Sequence, residues 1–434
     1  PVLSIELRGA TKARILAVVG HASHLRREIG NNVAIMAPMN RSLPRVVVVL
    51  GLVSFFNDLA SEMVTPLIPV LLAAVLGAGP VALGLVEGVA EAIAAWLKLY
   101  AGRRSDLWGG RRKPFVLAGY FVSNCVRPML GIAASWGAVL ALRGVDRVGK
   151  GLRTAPRDAL VADATPPAMR GRAYGLHRAL DNGGAMGGAL LAAACLTWTS
   201  LTLSQMILLS AVPGFIGVAL VAFAVRDPNA VAAARPASPP TLPPLSWSLL
   251  APPLRRYFLI LALFALARAS ETFIVLRGHE LAMSLPHLLL LWAAMSFAKA
   301  LAAWFGGKMA DRLGHAPVVL FNWLSHGASF LLLALAGSPE AMWGAALVYG
   351  VCAGVGEGAE RALVGELGCG SGHDAARGTA FGWYSLTVGL AAIPAGLCFG
   401  GVWQVFGAGA AFATATMLAW AAALLLHFAV LRTR

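Results

Sequence analysis

Runs of about 20 mostly apolar residues recur along nearly the whole of this chain, and a helix of that length crosses a hydrocarbon core about 30 Å thick. Twelve can be counted, at approximately 46–76, 81–101, 114–133, 137–162, 171–196, 203–225, 256–276, 286–306, 316–336, 341–366, 378–399 and 404–430. Barrel strands would alternate polar and apolar residues, and these runs do not, so helices are the expected spanning structure. With 58% hydrophobic and 13% charged residues, the 434-residue chain falls outside the balance of soluble globular proteins. The expected fold class is an all-α polytopic membrane protein with twelve transmembrane helices.

A formal net charge of +15 would suggest nucleic acid in a soluble protein, so its placement has to be read before its size. Arg103, Arg104, Arg111, Arg112 and Lys113 follow the second run, Arg153, Arg157 and Arg170 the fourth, and Arg226, Arg235, Arg255 and Arg256 the sixth. Lys308 and Arg312, then Arg377, then Arg432 and Arg434 continue the pattern, whereas the turns near Gly77 to Pro80, Ser135, Ser200, Ser338 and Gly401 have almost no basic residues. The positive-inside rule then predicts a cytoplasmic (inner) membrane location with both termini cytoplasmic. Nucleic acid is set aside as a partner, because neither a reading module nor aromatic interleaving accompanies the charge. Five scattered cysteines, Cys125, Cys195, Cys352, Cys369 and Cys398, lack paired spacing and imply neither a disulfide framework nor a zinc site.

Residues 1–44 form a polar and basic lead without the layout of a cleavable signal, and the natural start is expected at Met36. A Pro- and Ala-rich stretch between the sixth and seventh runs reads as a cytoplasmic linker. It divides the chain into six-helix bundles at 45–225 and 254–434, with the linker at 226–253. The halves repeat one another. GRRSDLWGGRR from Gly102 matches GKMADRLGHAP from Gly307, RGRAYG from Arg170 matches RGTAFG from Arg377, and RDALVAD from Arg157 resembles ERALVGE from Glu360. Parallel six-helix repeats in one order point to a transporter whose site lies between pseudo-symmetric halves.

These residues resemble the major facilitator superfamily from about Arg45 onward. Gly102, Asp106, Gly109, Arg111 and Arg112 look like its cytoplasmic loop motif, and Gly307, Asp311 and Gly314 like the second copy. Arg143, with Gly149 and Gly151, is similar to the superfamily's fourth-helix arginine motif. The segment NGGAMGG, with Gly183, Gly184, Gly187 and Gly188, is similar to the fifth-helix glycine motif of its antiporters. FFNDLASEMVTPLIP, DRVGKGLRTAPRDALVAD and YGLHRALDN look like one prokaryotic branch of permeases. The resemblance implies a monomeric carrier, the loop motifs acting as cytoplasmic latches and the glycine segment favouring export.

Charged residues inside the runs mark the candidate site, since an ionised side chain facing lipid costs several kcal/mol. In the first run Ser54, Asn57, Asp58, Ser61, Glu62 and Thr65 fall on one helical face. That face is expected to line a central cavity, against the alternative of a packing seam with buried arginines. Glu87, Glu91 and Lys98 lie together in the second run, Arg143 and Asp146 deep in the fourth, and His177, Arg178 and Asp181 in the fifth. Arg147 and Lys150 read as topological anchors. Arg268 and Glu271 in the seventh run echo the first, and Glu357, Glu360 and Arg361 mark the tenth, with Glu357 suited to pairing with the basic fourth helix. GVDRVGKG from Gly144 approaches a phosphate loop but lies in an apolar helix and ends in Gly151, so nucleotide hydrolysis is rejected.

The function expected is secondary active transport of a small molecule by alternating access, coupled to protons through Asp58 and Glu62, with Arg143 holding those carboxylates ionised. Export by proton antiport is the leading direction; proton-coupled uptake, a metal or metal-chelate carrier and a non-transporting membrane sensor stay open. Protons, a small-molecule substrate and the bilayer are the expected partners. No enzyme chemistry, cofactor or bound metal is expected.

Overall fold

The computed structural model describes residues 43–108, 111–166, 169–226, 246–268, 270–368 and 375–431. Gly109, Ala269 and most of the linker lie outside the described residues, as do the side chains of Glu357 and Arg377. Residues Arg45–Arg434 form one compact unit.

The helices follow the apolar runs: α1 Arg45–Val75, α2 Pro80–Leu107, α3 Lys113–Ile132, α4 Trp136–Asp163, α5 Arg170–Trp198 and α6 Leu203–Ala224. The second half contains α7 Pro252–Glu280, α8 Leu285–Leu313, α9 His315–Leu335 and α10 Pro339–Gly368. The last helical stretch, Ala375–Leu426, divides at Gly407, whose φ of 85° is left-handed backbone that glycine adopts without strain. This gives α11 (375–406) and α12 (408–426). Among the described residues nine stretches are long and apolar enough to cross a membrane. The count falls short of twelve because α11 and α12 run together and α4 carries many charges; α10 is also not among the nine.

The halves share one packing scheme. In the first, α1 packs on α5 and α6, and α4 packs between α2 and α3; in the second, α8 and α9 pack on α10, and α7 on the 375–426 stretch. Between halves α2 packs on α11 and α5 on α8, with smaller contacts of α1 with α7 and α8. A Cβ on Gly84 would lie 2.0 Å from the Gly396 carbonyl oxygen, and one on Gly400 would lie 2.5 Å from that of Pro80, so α2 and α11 meet backbone to backbone.

Two helices are interrupted at corresponding places. Helix α1 is regular as far as Glu62, then tightens to a 3₁₀ turn at Thr65–Leu67 and widens to a π turn at Leu71–Val75. Pro66 and Pro69 withhold the amide hydrogens that a regular helix requires. In α7 the regular helix stops at Ala267 and resumes at Thr272. Ser61–Glu62 and Ser270–Glu271, the echo seen in the sequence, both sit at these breaks, and irregular backbone at membrane depth is tolerated where it borders a cavity.

An apolar cluster joins the halves beyond the breaks: Met63, Leu67 and Ile68 of α1 with Phe273 and Leu276 of α7 and Phe399 and Trp403 of α11. It lies at the end of the bundle away from the basic α2–α3 and α8–α9 turns. At the basic-turn end each half has its own packing, and in the second half Phe264 stacks on Trp323 at 4.2 Å between ring centroids.

Candidate functional site

The polar face of α1 divides between two environments. Ser54 and Asn57 are buried inside the first bundle. Ser54 Oγ lies 3.1 Å from His177 Nε2 and 3.3 Å from the Tyr120 hydroxyl, and accepts from Arg157 Nη1 at 2.9 Å. Asn57 Oδ1 accepts from Asn124 Nδ2 at 3.3 Å, and the Asn57 carbonyl accepts from Arg127 Nη1 at 3.4 Å. Asp58, Ser61 and Glu62 line the central cavity instead. The cavity and seam readings of this stripe are therefore both realised, one turn apart.

The arginines of α4 do not pair with the α1 carboxylates. Arg143 donates to both Glu87 oxygens at 3.2 and 3.4 Å and to Asp146 Oδ2 at 3.4 Å. Asp146 Oδ1 accepts from Arg127 Nη2 of α3 at 3.1 Å, and Arg127 Nη1 donates to Asn124 Oδ1 at 3.0 Å. The sequence leads one to expect Arg143 to act on Asp58 and Glu62; its hydrogen bonds go instead to Glu87 of α2 and to Asp146 of its own helix, and Glu62 remains an electrostatic neighbour without a hydrogen bond to it. Asp58 accepts from Asn57 Nδ2 at 3.0 Å and Glu62 from the Trp292 indole of α8 at 2.8 Å. Neither forms an ion pair among the described residues. Glu91 opens into the cavity, with Lys150 and Arg147 as its strongest electrostatic neighbours. Asp181 lies 3.5 Å from His177 Nδ1.

The second half holds its carboxylates differently. Glu360, buried, accepts from Arg268 Nη1 at 3.2 Å, the Trp323 indole at 3.0 Å and the Tyr384 hydroxyl at 2.9 Å. Glu271 accepts from Lys299. Glu280 accepts from Arg277 Nη1 at 3.3 Å and from the Trp403 indole at 2.8 Å. Asn322 and His326 of α9 are buried against this cluster, with Asn322 Oδ1 and both ring nitrogens of His326 unpartnered among the described residues.

Three adjoining cavities meet at Arg268, of about 200, 390 and 500 Å³. The largest extends from Glu62, Arg147 and Lys150 toward the basic-turn end, where Lys98, Asp158 and Arg361 border it, and Arg178 lines it from α5. Arg147 and Lys150, read from the sequence as anchors, line the cavity; Arg153 and Arg157 turn inward as well, Arg153 donating to Ser123 Oγ at 2.7 Å and Arg157 binding Asp158 at 2.8 Å. Sequence reasoning left out Asn124, Arg127, Trp292, Lys299, Asn322 and His326. The signal for Arg127 and Lys299 was present: each is a lone cation inside an apolar run. Trp292 and Tyr384 carry no such mark.

The two loop motifs differ. Arg112 bridges Asp106 at 3.4 Å and Asp163 of α4 at 2.7 Å, while Arg111 is exposed. A Cβ on Gly102 would meet Ala155 at 3.1 Å. In the second copy Asp311 is exposed, Gly307 faces open space and Gly314 ends α8 at φ 88°. Near it, His315 Nδ1 lies 3.1 Å from Glu366 Oε2. The fifth-helix glycines form a packing seam: a Cβ on Gly184 or Gly188 would lie 2.3 Å from the carbonyl oxygen of Phe55 or Leu59, while Gly183 and Gly187 face only side chains. Gly149 and Gly151, the glycines of the rejected phosphate loop, press α4 against α3 and α2.

Two six-helix repeats around a charged chamber, with interrupted helices at equivalent places, define a multi-pass membrane protein of the transporter class. The chain belongs to the Major Facilitator Superfamily, whose family model matches residues 50–396. It is 30% identical to an uncharacterised MFS-type transporter of Methanocaldococcus jannaschii over 374 residues, 84% of this chain and 90% of that one. It is 28% identical over 373 residues to an uncharacterised protein of Mycobacterium tuberculosis, covering 83% and 87%. Among solved structures, the nucleoside transporter NupG superposes with a TM-score of 0.68 at 16% identity, covering 89% of this chain and 98% of that one. A bacterial homologue of the human lysosomal transporter Spinster, inward-facing and occupied, gives 0.67 at 15%, covering 90% and 97%.

Proposed function

We propose that this chain is a proton-coupled secondary transporter of a small molecule in the cytoplasmic membrane, with Asp58 as the principal proton-carrying group and Glu62 beside it. The observation that carries this reading is the division of the cavity carboxylates. Glu87, Asp146, Glu271 and Glu360 form ion pairs with basic side chains, whereas among the described residues Asp58 and Glu62 border the cavity without one, and Glu91 has Lys150 and Arg147 as electrostatic neighbours. A carboxylate with a fixed guanidinium partner stays ionised; one held only by an amide or an indole, in a partly dry chamber, changes protonation readily.

The halves rock about the chamber. Closure by the apolar cluster at one end and a cavity reaching the basic turns at the other corresponds, with those turns placed in the cytoplasm, to a state loaded from the cytoplasm. We infer export by proton exchange, which the glycine segment supports, since Gly184 and Gly188 seat α5 directly on the turn of α1 that carries Asp58. The experiment is accumulation of a ligand, found by thermal-shift screening, in proteoliposomes carrying an imposed pH gradient. Accumulation should follow the gradient and vanish when it is collapsed; uphill movement without any gradient would refute coupling.

A further inference from the structure

We infer that the chamber recognises a small organic anion, whose carboxylate or phosphate group is bound by Arg147 and Lys150 of α4. The inference rests on reading the cavity as a transport chamber and adds the chemical class of the cargo.

Most cations of α4 are already engaged. Arg143 is held by Glu87 and Asp146, Arg153 by Ser123 and the face of Tyr120, and Arg157 by Ser54 and Asp158. Arg147 is the exception. It is only 9% exposed, its Nε has no partner, and it makes no hydrogen bond or ion pair among the described residues. Lys150, nearly one turn further along, likewise has none. Both side chains line the adjoining cavities of about 390 and 500 Å³, volumes that suit a small molecule.

The carboxylates that face the pair are Glu91, for which Lys150 and then Arg147 are the strongest electrostatic neighbours, Glu62 and Asp146 beside Arg147, and Asp58 beside Lys150. None of these acids is hydrogen-bonded to either cation among the described residues, so both positive side chains keep their donors open to the cavity. The wider lining has the same sign, since nine basic side chains border the largest cavity against six acidic ones. A buried guanidinium without a partner is costly at membrane depth. Its planar fork matches a carboxylate or phosphate bidentately, while the lysine adds a flexible point charge beside it. A cationic substrate would instead have to pass this surplus, and a neutral one would leave Arg147 unsatisfied.

The full chain, purified in detergent, would be melted with three groups of compounds at constant ionic strength, which removes general screening effects. The anions are citrate, succinate and benzoate for carboxylates, and glycerol 3-phosphate, glucose 6-phosphate and inorganic phosphate for phosphates, so that the two arms separate the sources. Glucose and glycerol are the neutral controls; spermidine and tetraphenylphosphonium are the cationic ones. At least one anion should raise the melting temperature in a dose-dependent way, with neither control group doing so. R147Q and K150Q should each weaken its apparent affinity about tenfold or more, R147K should restore part of it, and E91Q should strengthen it. If R147Q does not fold, K150Q, R147K and E91Q carry the test. Protection by cations or neutral compounds alone, equal anion protection in wild type and K150Q, or no protection by any anion at millimolar concentration would each overturn the inference. Binding is read without a gradient, so its failure leaves proton coupling standing, and failure of gradient dependence leaves anion binding standing.

Discussion

The two halves of the molecule share a fold and an order of motifs, yet they differ in how many of their cavity acids are paired. In the second half the cavity carboxylates Glu271 and Glu360 are fixed by Lys299 and by Arg268, Trp323 and Tyr384. In the first, Glu87 and Asp146 are fixed in the same manner, but Asp58, Glu62 and Glu91 are left to the cavity. Duplication supplies two equivalent scaffolds, and under the proposed coupling one of them changes charge while the other stays constant. A polar contact that crosses between them, the Trp292 indole on Glu62 at 2.8 Å, ties a cavity carboxylate of one half to a helix of the other.

The largest effect on stability is expected at Glu360. Glu360→Gln strands Arg268 and weakens two further hydrogen bonds, which should lower stability by about 3 kcal/mol in detergent unfolding. Asp58→Asn, which removes an acid without a basic partner, should be neutral or mildly stabilising. Equal destabilisation by both variants would erase the contrast between the halves. Asp146→Asn, acting on Arg127 and Arg143 together, should cost about 2–3 kcal/mol and so place Asp146 with the committed group rather than with its neighbours in the same half. Next in size, Gly188→Val drives a side chain into the Leu59 carbonyl, 2.3 Å from its Cβ, and should cost about 1–3 kcal/mol. Gly187→Ala, whose nearest neighbour is 3.8 Å away, should stay within about 0.5 kcal/mol. The smallest difference is between the loop motifs: Arg112→Ala should cost about 1 kcal/mol or less by equilibrium unfolding, and Asp311→Asn should have no measurable effect, because Asp311 is exposed without an ion pair among the described residues.

Much of this was legible in the sequence, for reasons that depend on the residue. The twelve runs and the repeat follow from a constraint that acts on every residue, the need to satisfy backbone groups in lipid. The α1 stripe was visible because polar residues at helical spacing stand out in an apolar run. Its division was not visible, since Ser54 and Asn57 differ from Asp58 and Glu62 only in which neighbouring helix faces them. The hydrogen bonds of Arg143 to Glu87 and Asp146 were not visible, because pairing depends on the crossing of α2, α3 and α4, which no spacing along one helix reveals. Arg147 and Lys150 resembled anchors by their nearness to a basic loop, and only the packing of α4 turns them inward. Tryptophan and tyrosine as carboxylate partners, at Trp292, Trp323, Trp403 and Tyr384, leave no mark in an apolar run at all.

The central claim, that the first half supplies the titrating group and the second half the constant charges, is tested most directly by gradient-driven transport in proteoliposomes with Asp58→Asn and Glu271→Gln compared side by side. The account predicts that Asp58→Asn still exchanges substrate across the membrane but no longer accumulates it against a gradient, while Glu271→Gln moves substrate more slowly yet remains driven by pH. Uphill accumulation that persists in Asp58→Asn and is lost in Glu271→Gln would contradict it.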